Sequence, residues 1–424
     1  MQLDPDWLMA QGEDAMLLHR VDTAFPETHQ PDTVGIAVSG GGDSMALLHL
    51  FWRWSVQSGR PIAAVTVNHG LRPEAAEEAA HVAAFCAVHG IPHETLNWSG
   101  GGDAGNLQAN ARNARYRLIG DWARANAIGG VALGHTADDV AETFLLRLAR
   151  KSGLDGLAAM DQRFQRDGVF WTRPLWQVGR AELRDYLKRH KIRWCDDPSN
   201  EDERFDRVRA RKALQALAPL GIDAETIMDS ALNLQVARNT LDHFTREAAR
   251  TRVVEDRGDL LLQTGGDAGS LRPEIKRRIL TAAMRWCSGA EYAPRYTAML
   301  EMDATLATAQ KHTLSGCLLT RDDTAIRVTR EYNAVRAATC PTTEVWDGRW
   351  QLDGPHADDL HIAALGVAVK DCPDWRETGL PRASLMASPA VWQDGALIAA
   401  PLAGYNPDWT ARIVTSFASY LLSH

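Results

Sequence analysis

A chain of 424 residues, 45% apolar and 24% charged, has the composition of a globular protein and the length for two or three domains. No apolar run approaches the ~18 residues of a membrane-spanning helix, and MQLDPDWLMAQGEDAMLLHR lacks the basic opening of a secretory signal, so a cytoplasmic location with no membrane contact is expected. The net charge of −8 is unevenly spread: residues 1–106 hold 4 Arg and no Lys against 13 acids, residues 107–214 hold 21 Lys and Arg against 15. The basic stretch is compatible with a local phosphate-binding face, or simply with solvated helix faces. Six cysteines (Cys86, Cys195, Cys287, Cys317, Cys340, Cys372) without a C-x-x-C pair argue against a zinc ribbon, an iron–sulfur site of the usual spacing and a disulfide scaffold.

In chain order, residues 33–38 (TVGIAV) predict a buried strand, followed by the loop Ser39-Gly-Gly-Gly-Asp-Ser44 and an apolar helix. Further strands are predicted at 61–67, 91–98, 129–134 and near 170–176, with helices to His89, over 107–127, from about 138 to 150 and over 180–190. Strands alternating with helices imply an α/β domain with a parallel sheet covered on both faces, ending near 215. Residues 224–254, 273–287 and 293–310 have helical spacing, and from 318 onward short strands alternate with turns such as Asp-Gly. The expected division is therefore 1–215 (core from about 33), a helical domain 216–315 and a β-rich domain 316–424.

A Gly-rich turn between a buried strand and a helix can let backbone N–H groups approach an anion, or can be a slack connection. Asp43 cannot favour phosphate itself and would hold a bridging Mg²⁺. The loop is neither a Walker A nor a G-x-G-x-x-G motif, and no lysine precedes Lys151. The same five letters recur at Ser99–Asp103, after a polar strand and before Ala104-Gly105-Asn106, so this second copy is expected to be a spacer. Gly134-His-Thr-Ala-Asp-Asp-Val-Ala-Glu-Thr143 places His135, Asp138, Asp139 and Glu142 where a strand gives way to a helix. They could bind a metal, orient an amine or take its proton; equally, Thr136-x-x-Asp139 approximates a capping box. Arg112, Arg115 and Arg117 lie on one helix, and Arg207, Arg209 and Arg211 alternate after the turn DDPSN.

SGGGDS resembles the SGGxDS signature of the PP-loop ATP pyrophosphatases. With VNHGLRPEA (67–75), ANARNARY (109–116), LGHTADDVAET (133–143), Arg173-Pro174-Leu175 and DDPSN (196–200), the order is similar to that of the tRNA(Ile)-lysidine synthetase family, strongly over about 33–215 and more weakly beyond. The resemblance implies an adenine nucleotide alpha-hydrolase-like (PP-loop) parallel-sheet domain with a helical middle domain and a small β-rich C-terminal domain, the last two binding tRNA. It implies ATP-dependent ligation of free L-lysine to carbon 2 of the wobble cytidine of a tRNA(Ile) with a CAU anticodon, through an adenylated cytidine, and often a homodimer. By matching positions, Ser39, Gly40, Gly41, Gly42, Asp43 and Ser44 would bind ATP, with Asp43 on Mg²⁺. Arg112 would contact nucleotide or base, and His135 would support adenylation. Asp138, Asp139 and Glu142 would hold the lysine ammonium, with Asp139 first choice as base. Arg207 and Arg209 would line the lysine or tRNA side. Gly42, Val140 and the run RVRAR depart from the family's pattern. Another PP-loop tRNA-modifying enzyme, of the 2-thiocytidine type, would ask for suitably spaced cysteines; a non-catalytic tRNA- or nucleotide-binding protein would not need the four acids.

Overall fold

Six strands build the sheet that carries the first unit, and their order explains where its loops converge. The structure, a computed structural model, describes residues 12–70, 74–98, 107–196, 206–265 and 271–423. The chain divides into two units, Met1–Arg238 and Asn239–His424. The second SGGGD loop and most of DDPSN lie outside the described residues.

In the first unit the elements are α1 (Ala15–Asp22), β1 (Val34–Ala37), α2 (Gly42–Ser58), β2 (Ile62–Asn68), α3 (Glu74–His89), β3 (His93–Asn97), α4 (Leu107–Ala125), β4 (Gly130–Leu133), α5 (Ala137–Ala149), α6 (Leu154–Leu157), β5 (Arg163–Arg166), β6 (Val169–Thr172), α7 (Arg180–Arg189), α8 (Asp206–Leu217) and the start of α9 (Ala224–Arg252). The sheet order is β3-β2-β1-β4-β6-β5. All pairings are parallel except β5–β6. That hairpin turns on Asp167-Gly168, both at positive φ, an Asp-Gly signal that the expected elements left unused.

One sheet face is covered by α1, α2, α3 and α7, through Leu17, Leu48, Phe51, Val82, Leu183 and Leu187 against Ile36 and Ile62. The other takes α4, whose Tyr116, Ile119 and Trp122 pack on Val65, Val131 and Trp171. Gly35 permits this close approach, because a Cβ there would stand 3.0 Å from both Ile128 and Trp122. Burying each such large side chain contributes roughly 1.5–3 kcal/mol. The chain runs from β1 outward to β2 and β3, then returns to place β4 on the opposite side of β1. The carboxyl ends of β1 and β4 therefore flank a topological switch point, the place where open α/β sheets hold ligands.

The first unit extends past the boundary expected at 215, because Met228 and Ala231 of α9 pack with Val140 of α5. In the second unit, β7 (Val253–Asp256) and β8 (Asp259–Gln263) form a hairpin on Arg257-Gly258, both at positive φ. β8 then pairs with β11 (Ala325–Arg330) in the antiparallel sheet β7-β8-β11-β10-β9, whose β9 is Lys311–Leu314 and β10 Cys317–Arg321. The boundary expected near 315 thus falls inside one sheet. Helices α10 (Pro273–Ser288) and α11 (Tyr296–Thr308) share its core through Ile279, Met284 and Met302. Beyond it lie a four-stranded sheet, β12-β14-β15-β16, in which β12 is Thr339–Pro341 and β14 is His361–Ala364, and a two-stranded one, β13–β17. Asp394-Gly395 makes the expected hairpin between β15 (Pro389–Gln393) and β16 (Ala396–Ala399). Asp347-Gly348 makes only a tight turn closed between Trp346 and Trp350, and β13 (Trp350–Asp353) pairs with β17 (Thr410–Ile413) instead.

Candidate active site

The loop after β1 is a shaped turn. Gly40 has φ +87°, a conformation that glycine adopts without strain, and its carbonyl accepts the N–H of Cys195 at 3.0 Å. Ser44 ties the loop to itself: its Oγ accepts the Ser39 N–H at 3.1 Å and donates to the Gly41 carbonyl at 2.9 Å. Gly41 caps α2 without a side-chain hydrogen bond. The first N–H groups of α2 are thus not claimed by a capping side chain, which is the arrangement that binds phosphate at a helix start.

Gly134, at the end of β4, lies directly beside this turn. A Cβ there would stand 3.1 Å from Ser44 Cα and 3.2 Å from the Asp43 carbonyl oxygen. The second motif is thereby pressed against the first, although some ninety residues of chain separate them.

α5 opens with a complete capping box. Asp139 Oδ2 accepts the Thr136 N–H at 2.9 Å and the Thr136 hydroxyl at 3.1 Å. Asp138 instead turns to α7, where its Oδ2 accepts the backbone N–H of Arg180 at 2.7 Å. The Ala137 N–H donates to Val178 at 3.0 Å, so the motif is stitched to the start of α7 twice. Both aspartates therefore have architectural duties, while Asp139 Oδ1 and the Glu142 carboxylate face arginines from other elements.

Arg180 sits at their centre. Its Nε donates to Asp43 Oδ2 at 3.0 Å, Nη1 to Glu142 Oε1 at 3.2 Å, and Nη2 reaches Asp139 Oδ1 at 3.5 Å. Arg207 Nη1 also approaches Asp139 Oδ1, at 3.4 Å, and Arg211 Nε donates to Glu142 Oε1 at 2.6 Å. Glu142 is buried with its side chain 1% exposed, and its Oε2 has no hydrogen-bond partner among the described residues. A buried carboxylate oxygen left in that state calls for a donor.

Charge in the crevice follows from these neighbours. Burial, reinforced by Asp139 and Asp138, pushes the Asp43 carboxyl up despite Arg180. Burial also works against the charge of Asp139, but His135, Arg180, Arg207 and the Thr136 N–H outweigh it and hold its carboxyl below the usual range. The Arg180 guanidinium is held above its ordinary value: burial opposes its charge, and Asp43, Asp139 and Glu142 overcome that. His135 is pushed down to about 3, by burial first and then by Arg173, Arg112 and Arg115, so its imidazole is neutral at pH 7. Its Nδ1 is buried without a hydrogen-bond partner among the described residues.

Of the expected residues, the structure brings together Ser39–Ser44, Asp138, Asp139, Glu142 and Arg207. Arg112 is exposed and lies over the Tyr116 ring at 5.3 Å, near His135 but outside the carboxylate cluster. Arg209 pairs with Asp206 and is 61% exposed. On α8, positions 207 and 211 share a face and 209 points elsewhere, so Arg211 stands where Arg209 was expected. Asp139 has one oxygen committed to the capping box and a carboxyl held below its usual range, and both reduce its capacity to act as a base.

Arg180, Arg211, Arg115 and Arg173 were not assigned from sequence. One local signal marks Arg180: it is the first residue of a helix, where the dipole disfavours a cation. A residue placed against a local rule is a candidate for function.

A PP-loop domain family matches residues 16–217. The chain is 48% identical to the tRNA(Ile)-lysidine synthase of Ruegeria pomeroyi, over 93% of this chain and 95% of that protein. It is 34% identical to the tRNA(Ile)-lysidine synthase of Wolbachia pipientis wMel, over 88% and 89%. Against that of Mesorhizobium japonicum it is 35% identical, over 91% and 88%.

Proposed function

We infer the function from the premise that the chain belongs to the tRNA(Ile)-lysidine synthase family: it is an ATP-dependent ligase that modifies tRNA(Ile). ATP is a substrate of its PP-loop domain. The finer reading is that free L-lysine is joined to carbon 2 of the wobble cytidine of the CAU anticodon. In the first step the cytosine 2-oxygen attacks the α-phosphorus of ATP, the bond to the β-phosphate oxygen breaks, and pyrophosphate leaves. In the second, the ε-amine attacks carbon 2 and AMP departs with the former 2-oxygen, while the amine loses its protons to a base and then to water.

The residues present suit this chemistry. The turn Ser39–Ser44 and the first N–H groups of α2 would hold the pyrophosphate end of ATP. Among the described residues no group of three or more His, Cys, Asp or Glu could hold a metal by itself. Mg²⁺ commonly takes one or two carboxylates together with substrate phosphates, and Asp43, at the start of α2, fits that sparse role. A bound Mg²⁺ would neutralise charge on the leaving pyrophosphate. Glu142 Oε2 is the atom best placed to accept the lysine ammonium and then its proton. Desolvation in the crevice and the forming C–N bond lower the ammonium's hold on that proton. Asp139 Oδ1 and the neutral His135 flank the same region. Arg112, Arg115 and Arg173 offer positive charge toward phosphate or RNA. The second unit and α9 would grip the tRNA, as a cytoplasmic enzyme acting on the whole molecule requires, and a homodimer is the expected assembly.

The observation that carries this reading is the junction of Gly134 with Ser44, which sets the phosphate turn against the carboxylates at one switch point. The test is incubation with tRNA(Ile) bearing CAU, ATP with Mg²⁺, and labelled lysine. AMP, pyrophosphate and tRNA-bound label in equal amounts are expected; tRNA free of label would refute it.

A further inference from the structure

Three nitrogens of one guanidinium each meet a different carboxylate at this site, and that sharing has a consequence for the order in which ligands enter. Arg180 binds Asp43 on the ATP side and Asp139 and Glu142 on the amine side, at 3.0, 3.5 and 3.2 Å. Its side chain is 19% exposed and its own backbone N–H is anchored to Asp138. It is thus a cation tethered at its backbone, with its guanidinium held where a divalent ion or an ammonium would otherwise neutralise the same acids. Glu142 Oε2, buried and without a hydrogen-bond partner among the described residues, gives the cluster acceptor capacity beyond what Arg180, Arg207 and Arg211 consume.

We propose that Arg180 is a positioning residue that serves as the resident counter-ion of the free enzyme, keeping Asp43 from a divalent cation until ATP arrives. Free Mg²⁺ must displace the guanidinium from Asp43 and gains only one carboxylate in exchange. Mg²⁺ carried on ATP brings phosphate oxygens that receive both the metal and the released guanidinium, so no charge is left unpaired. Because the same guanidinium also holds Asp139 and Glu142, its shift toward phosphate frees their inward oxygens for the amine. Metal entry, ATP binding and opening of the amine site are thereby coupled through one side chain. This rests on the lysidine reading for the identity of the amine, but not for the competition at Asp43.

The test is thermal unfolding of the full chain with MgCl₂ alone, without nucleotide or tRNA, for wild type, Arg180→Gln and Arg180→Lys. Wild type is expected not to respond. Arg180→Gln is expected to gain about 2–4 °C in Tm at saturating Mg²⁺, and adding Asp43→Asn to it should abolish the gain. Arg180→Lys, which keeps the charge but offers one nitrogen in place of three, should respond more weakly than Arg180→Gln and still more than wild type; it carries the test if the glutamine variant does not fold. A wild-type response to Mg²⁺ alone equal to that of the variants, or variants that remain unresponsive, would overturn the proposal. A purely architectural role for Arg180 would lower Tm without creating a Mg²⁺ response. Failure of lysine incorporation by wild type would count against the functional reading and leave the Mg²⁺ result to judge Arg180 separately.

Discussion

Replacing Gly40 by alanine adds a methyl group to a backbone at φ +87°, a conformation that costs an L-residue about 1–2 kcal/mol. The new Cβ would lie 3.3 Å from the Glu78 carbonyl oxygen and 3.4 Å from Glu78 Cβ. The backbone of α3 would have to yield by a few tenths of an ångström, which brings the total to about 2–3 kcal/mol. Gly42, two positions on, differs in kind. It is the first residue of α2, has no positive φ, and its Cβ would meet Trp194 at 3.5 Å and Leu187 at 3.8 Å, ordinary packing distances. Gly42→Ala should therefore change stability by less than about 0.5 kcal/mol. Urea denaturation followed by tryptophan fluorescence measures the first difference. Titration with Mg²⁺–ATP measures the second, because displacing the Gly40 turn moves the N–H groups that face phosphate. We expect about a tenfold loss of ATP affinity for Gly40→Ala, close to 1.4 kcal/mol, and less than threefold for Gly42→Ala. Equal losses in the two variants, or a larger one at Gly42, would refute the assignment of a shaped anion cradle to this turn.

Glu142→Gln removes a buried charge shared by Arg180 and Arg211, but Arg180 keeps Asp43 and Asp139, so the stability loss should be about 1–3 kcal/mol rather than the 3–5 of a fully orphaned pair. Pyrophosphate release should persist while lysine incorporation falls about 100-fold; both lost together would move the base elsewhere. Asp43→Asn should abolish pyrophosphate release, and Asp103→Asn, in the second SGGGD copy, should leave it nearly intact; similar losses in the pair would mean that the flanks do not distinguish the copies. His49, bonded to Tyr186 at 2.7 Å, is pushed down to about 3 by burial and by His190 and Arg53. The unfolded chain takes up that proton near pH 6.5, so stability is full above it and falls on acidification toward pH 3, by about 1.4 kcal/mol per pH unit from this group. Denaturant midpoints across that range should lose one proton's worth of slope in His49→Gln; an unchanged slope would mean that the imidazole is protonated in the folded state.

Much of the site was legible locally, because each piece is a short-range signal. An apolar run such as TVGIAV predicts a buried strand from its own few residues, and the glycines of SGGGDS mark the strand–helix turn that follows it. The capping box at Thr136 is likewise written within four residues. Separating Asp138 from Asp139 was beyond such signals, since adjacent carboxylates look alike until one finds α5's own first turn and the other finds the N–H of Arg180. The β7–β8 hairpin is itself local, but the pairing of β8 with β11, more than sixty residues on, leaves no local periodicity, and that pairing is what makes residues on both sides of 315 one sheet.

The sequence by itself determined which residue types are available and roughly where: a glycine turn after one buried strand, acids at the start of the helix after another, and arginines on helices further along. The tertiary structure alone decided which of these meet. β4 returns beside β1, so Gly134 touches Ser44 across the switch point, and α7 delivers Arg180 to an aspartate 137 residues earlier. Hydrophobic patterning specifies which face of an element is buried but not which neighbour buries it. A guanidinium shared among three carboxylates exists only once that choice of neighbours has been made.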